Sequence, residues 1–166
     1  MCGCNTHIWC IVLLSILFDK PDLFTEEQII EAIFQKGNFD DNTKKRIRRL
    51  LIEKKSVMFD IVIELCKHCA FEVFFLTKEG TRKVVQLDDF GAAVRNLRKD
   101  AKMTQDAAAV KYLLNMRTLA RYEKLNADGS ILVRIGDLAK YLSMFDCCFG
   151  IQIVEPNLTL RYTFMA

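Results

Sequence analysis

Glycine and proline are scarce in this 166-residue chain, with 7 and 2 copies. That argues against collagen-like, loop-rich and disordered architectures, which depend on those residues or on far lower hydrophobicity. No apolar run reaches the roughly 20 residues that span a bilayer. The longest, Ile8 to Phe18, has no basic segment before it and no small-residue cleavage site after it, so it does not read as a signal peptide. A catalytic set is missing too. There is no glycine-rich loop to cradle phosphate and no Gly-x-Ser-x-Gly turn, and the carboxylates are scattered over helix caps and exposed faces. A non-enzyme is therefore expected. The seven cysteines lack the even count and spacing of a disulfide framework, which predicts a cytoplasmic protein with reduced thiols.

What is present suits packed elements. Half of the residues (51%) are hydrophobic, enough for a core. The net charge of +3 is too small to decide anything about nucleic acid, so the distribution of charge has to. Two groups of residues have ligand types suited to zinc: Cys2, Cys4, His7 and Cys10, and then Cys66, His68 and Cys69. Neither has paired Cys-x-x-Cys spacing, and the first runs into an apolar helix, where cysteine is commonly a small core residue. The reading is no metal and no cofactor.

Along the chain, Ile8 to Phe18 reads as a buried helix ended by Lys20-Pro21. Thr25 and Gln28 make a capping box for a second helix, with Ile29, Ile30, Ile33 and Phe34 on its apolar face and Gly37-Asn38 as its stop. Asp40 or Asp41 caps a third, whose inner positions are Ile47, Leu50 and Leu51. Its outer face carries Lys44, Lys45, Arg48 and Arg49. Val57, Phe59, Ile61, Ile63 and Leu65 alternate, which predicts a strand. A turn over Cys66 to Cys69 leads to a second strand, Phe71 to Leu76. Thr81 to Leu87 suits a strand or a helix. Asp88-Asp89 caps a helix from Phe90 to Lys99. Helices follow at Thr104–Tyr112, Met116–Lys124 and Ile131–Met144. Gly150 to Phe164 alternates again and predicts a hairpin around Pro156-Asn157, with Cys147-Cys148 packed beneath it. The fold class is α+β, mainly α, divided near Asp88 into residues 1–88 and 89–166.

The run from Val94 to Lys124 matches, without a gap, a known pattern: Val94-Arg-Asn-Leu-Arg-Lys99, Met103-Thr-Gln-Asp-Ala-Ala-Ala109 and Asn115-Met-Arg-Thr-Leu-Ala-Arg-Tyr-Glu-Lys124. It resembles the helix-turn-helix of the Cro and phage-repressor (XRE-type) family. The resemblance implies a five-helix domain that binds double-stranded DNA as a homodimer over paired half-sites. Thr104 caps the first helix of the pair, whose N-terminus suits a phosphate, and Gln105 adds a side-chain donor. Ala107, Ala108 and Ala109 let the second helix cross closely. Asn115 caps that second helix, and Met116, Arg117, Thr118 and Arg121 face the major groove. Arg117 would read guanine, and Met116 would touch a thymine methyl. Lys111, Arg121 and Lys124 would meet phosphates. Arg98 and Glu123 occupy the family's structural ion pair. Leu113 stands where the family has glycine, which predicts an altered or longer turn.

The first half, helix, helix, basic helix and hairpin ending in Phe75-Leu-Thr-Lys-Glu-Gly80, looks like a winged helix. That resemblance makes Lys44, Lys45, Arg48 and Arg49 a second DNA surface. The function expected is sequence-specific regulation of transcription, as a repressor. Two other classes fit the same features: a phage or plasmid factor that uses the fold to bind a protein such as a host nuclease complex, and a toxin–antitoxin-type regulator. For the latter, Ile63-Glu-Leu and Phe71-Glu-Val-Phe-Phe are similar to the sheet of small messenger-cleaving toxins, although the basic residues such toxins use are missing.

Overall fold

The computed structural model describes residues 25–53, 55–155 and 158–164. The expected helix over Ile8 to Phe18, the group Cys2, Cys4, His7 and Cys10, and the Pro156-Asn157 turn lie outside them. The described chain is α+β and mainly helical, with one four-stranded antiparallel sheet. None of its helices is long and apolar enough to cross a membrane.

Helix α1, Glu26–Gly37, starts at the capping box. The Thr25 hydroxyl accepts from the Gln28 N–H at 3.3 Å, and the Gln28 side chain accepts from the Thr25 N–H at 2.8 Å. Asn38 ends it in the left-handed region at φ 47°. Helix α2, Asp41–Leu51, is capped by Asp40, which accepts from the Thr43 N–H at 2.6 Å. Both helices bury the apolar positions expected of them.

The next segment corrects the sequence reading. Asp60–Cys69 is a helix, α3, not a strand followed by a turn. Ile61, Val62, Ile63 and Leu65 are all buried. A helix enclosed on several sides puts apolar residues at adjacent and alternate positions alike, and the period then loses its meaning. Only the start of the stretch is extended. There the Phe59 N–H donates to the Val133 carbonyl at 2.8 Å, and the Ile135 N–H donates to the Val57 carbonyl at 2.9 Å. Ile63-Glu-Leu, likened above to a toxin sheet, therefore lies in a helix.

Strands β1, Glu72–Thr77, and β2, Arg82–Val85, form a hairpin whose turn uses Gly80 at φ 81°. A 3₁₀ turn over Leu87–Asp89 leads into α4, Phe90–Asp100. Asp89 precedes α4 without a side-chain capping bond, unlike the cap expected of it. Then come α5, Gln105–Lys111, α6, Met116–Tyr122, and α7, Ile135–Ser143. Residues 131–134, expected as helix, precede α7. Strands β3, Cys147–Glu155, and β4, Leu158–Phe164, complete the sheet in the order β2-β1-β3-β4.

The β1–β3 ladder runs from Glu72 opposite Gln152 to Thr77 opposite Cys147. The sheet thus crosses residue 88, where the sequence was divided. So does the core. Phe59, Phe90 and Phe149 meet at ring-centre separations of 4.8, 5.9 and 5.8 Å, in the range of favourable edge and tilted contacts. Phe75 and Phe164 extend the cluster. Cys147 and Cys148 open β3, and Cys147 is buried.

Candidate nucleic-acid interface

The expected site residues gather on α5, the turn after it, and α6. The Thr104 hydroxyl accepts from the Ala107 N–H at 3.1 Å, and the Asn115 side chain accepts from the Arg117 N–H at 2.8 Å. Each satisfies one donor that a helix start leaves open. Ala108, Ala109, Leu119 and Tyr122 are buried where the two helices pack.

Leu113 itself adopts the left-handed conformation, with φ 53°. The Leu113 N–H donates to the Val110 carbonyl at 3.3 Å, and the Leu114 N–H donates to the Ala109 carbonyl at 2.9 Å. This is the Schellman pattern, in which glycine normally holds the left-handed position. A leucine there costs roughly 1–2 kcal/mol.

Beneath the pair lies a buried charge network. Arg98 donates from Nε to Glu123 Oε1 at 2.5 Å and from Nη2 to Oε2 at 2.9 Å. Its Nη1 donates to the Met103 carbonyl at 2.6 Å. The Gln105 amide donates to Glu123 Oε2 at 2.8 Å, and Arg95 stands 3.4 Å from the same oxygen. Only 1% of the Glu123 side chain is exposed. Burial pushes its carboxyl up, but the bonds from Arg98 and Gln105 and the charges of Arg98 and Arg95 together hold it below the ordinary value. The carboxylate ties α4, the start of α5 and the end of α6, and Arg98 joins the Met103 loop to them.

Sequence reasoning found Arg98 and Glu123 and missed the rest of the network. Gln105, expected at a phosphate, has its amide committed to Glu123. Arg95 was legible as one turn before Arg98. Gly91 carried no signal. A Cβ there would stand 2.7 Å from the Glu123 carbonyl oxygen and 2.7 Å from the Leu125 nitrogen. Its own N–H donates to the Leu125 carbonyl at 2.8 Å. Backbone thus lies against backbone where α4 meets the end of α6, and only glycine allows it.

The outward side is different. Arg117, Arg121, Lys111 and Lys124 are exposed, Met116 is 39% exposed and Thr118 is half-buried. None of these four cations forms an ion pair among the described residues. Among the described residues, Met58 of the first half lines a cleft of about 410 Å³ with Thr118, Arg121, Tyr122, Leu132, Val133, Arg134 and Asp137. From Ala107 to Tyr122 the chain has no acidic residue.

The second basic face is arranged otherwise. Arg48 donates to Glu27 at 2.7 Å and to Glu31 at 3.3 Å, both on α1. It also lies 5.8 Å from the centre of the Phe34 ring, and Lys44 lies 6.0 Å from it. Arg46 pairs with Asp60. Lys45 and Arg49 remain on the exposed side.

Among the described residues no group of three His, Cys, Asp or Glu side chains could hold a metal ion. Cys69 is buried and its thiol lies 3.5 Å from the Ile33 carbonyl, whereas His68 is exposed beside Glu64 at 3.4 Å. Burial pushes the Cys66 and Cys147 thiols up to about 12, which suppresses the reactive thiolate. No family model, no curated protein and no solved structure matches this chain.

Proposed function

We propose that the chain is a sequence-specific DNA-binding regulator of transcription, with α5 and α6 acting as a helix-turn-helix and α6 entering the major groove. The observation that carries this reading is the charge asymmetry of α6. Its inner end is locked by the buried Arg98–Glu123 pair. Its outer face presents Arg117 and Arg121, with Lys111 and Lys124 at either end, and the one acid between them in sequence, Glu123, is buried against Arg98. Rigid support and one-signed exposed charge are what a phosphate-lined groove selects.

The roles follow from position. Arg117, near the start of α6, reads guanine through O6 and N7. Lys111, Arg121 and Lys124 meet phosphates and fix the register. The first half serves as a winged-helix-like portion that shares its sheet and core with the second. The protein acts as a cytoplasmic homodimer on paired half-sites and represses, since occupancy of a promoter is enough to block polymerase. It performs no catalysis.

The test is selection of bound duplexes from a random-sequence pool by the full chain, followed by affinity measurement across salt concentrations. The expected result is a defined site whose affinity falls steeply with salt. Arg121→Ala and Lys124→Ala should each reduce the logarithmic salt slope by about 1. Absence of any salt-dependent duplex binding overturns the reading and favours a protein-binding factor.

A further inference from the structure

Tyr122 is 3% exposed, yet it lines the cleft of about 410 Å³ beside α6. Its ring packs on that of Tyr141 at 5.2 Å. Its hydroxyl has no hydrogen-bond partner among the described residues. A polar group buried so deeply nearly always has one. The charges of Asp137 and Arg121 both act on this phenol, and both residues line the same cleft. The hydroxyl therefore opens into the cleft. Burial and the Asp137 carboxylate push the phenol up to about 12, so near neutral pH it keeps its proton and can donate.

The rest of the lining selects the occupant. Arg121 and Arg134 bring two guanidinium groups, and neither forms an ion pair among the described residues. Arg134 also stands at the start of α7, which begins without a side-chain capping bond. The positive end of that helix adds to the same sign. Asp137 is the one acid of the lining, so cations outnumber it. Met58 and Leu132 supply an apolar wall. The volume falls in the range of small-molecule sites. A duplex backbone is too broad to reach a hydroxyl at this depth, whereas a small molecule can.

We propose that this cleft binds a small organic anion, a carboxylate or phosphate ester on a compact apolar body. Its charge lies on Arg121 and Arg134, and the Tyr122 hydroxyl donates to it. Arg121 is also the residue assigned above to a DNA phosphate. Ligand and duplex then compete for one guanidinium, and the ligand acts as an inducer that releases the DNA. The release rests on the DNA-binding reading, but the cleft itself does not.

The experiment titrates the full chain with benzoate, phenyl phosphate and neutral benzamide at constant ionic strength. At least one of the two anions should raise the melting temperature in a saturable way, and the tighter of them tells carboxylate from phosphate ester. Benzamide should not. Tyr122→Phe removes only the hydroxyl and should weaken the anion on the order of tenfold. It should not lower the melting temperature of the free chain, because the hydroxyl it removes has no partner to lose. Arg134→Ala should weaken the anion at least about tenfold. The anion should displace a duplex selected from the random pool from the wild type but not from Arg134→Ala. Equal shifts with benzamide, shifts that survive both substitutions, or no saturable shift overturn the anion site. So does an Arg134→Ala variant that loses the duplex and keeps the anion, which assigns the cleft to DNA. A saturable anion shift in a chain that selects no duplex keeps the cleft and overturns the DNA reading alone.

Discussion

Helices α2 and α6 both read in the sequence as basic faces fit for DNA, yet their charges are used differently. On α2, Arg48 is held by Glu27 and Glu31, and Arg46 by Asp60. Lys44 and Arg48 also lie over the Phe34 ring. Much of that charge serves to dock α2 on α1 and α3. On α6, Arg117 and Arg121 have no ion-pair partner among the described residues, and the acid nearest in sequence, Glu123, is turned inward to Arg98. A count of lysines and arginines cannot separate these cases. The position of the acids does.

The comparison breaks most sharply at Glu123. Arg98→Met leaves that carboxylate buried with less compensation, so chemical denaturation should show a loss of about 3–5 kcal/mol. The same variant should change the response to acid. In the native chain Glu123 has a folded pKa below its unfolded value. It therefore contributes stability above the ordinary glutamate range, and that contribution is lost as pH falls through the folded pKa. Without Arg98 burial weighs more heavily on the carboxyl, and the acid-dependent loss should shrink. A denaturation series from neutral to acid pH compares the two.

Gly91→Ala comes next. The added methyl meets main-chain atoms of residues 123 and 125, which cannot swing aside. A loss of about 1–3 kcal/mol is expected in thermal unfolding. Arg117→Ala sharpens the contrast between the two helices. It should cost about 1–3 kcal/mol of binding at one base pair of the selected site, with little change in stability. Arg48→Ala should do the reverse on a smaller scale. As a partly exposed pair it should cost at most about 1 kcal/mol of stability and leave duplex affinity as it was. If Arg48→Ala weakens binding as much as Arg117→Ala does, the distinction between the faces is wrong.

How far the sequence could be read follows the same division. Caps are local, so Thr25, Asp40, Thr104 and Asn115 announced their helices, and each makes the expected bond. Arg98 and Glu123 were legible because their spacing belongs to a known pattern. Helix α3 was not, since its burial on several sides erased the period that marks a helix. Leu113 holds a left-handed φ of 53°, a conformation its residue type does not announce. Gly91 was silent because its role depends on residues more than thirty positions away.

The ladder between β1 and β3 joins residues some seventy-five positions apart in the chain. Such pairing forms slowly, because a long loop must close before it is rewarded. During synthesis β1 and β2 leave the ribosome well before their central partner exists. Helices α4 to α7 emerge in that interval and can assemble from neighbours in sequence. The nascent chain thus waits with an open sheet edge until β3 and β4 arrive, and a truncation before Cys147 would strike the oldest part of the fold as well as the newest.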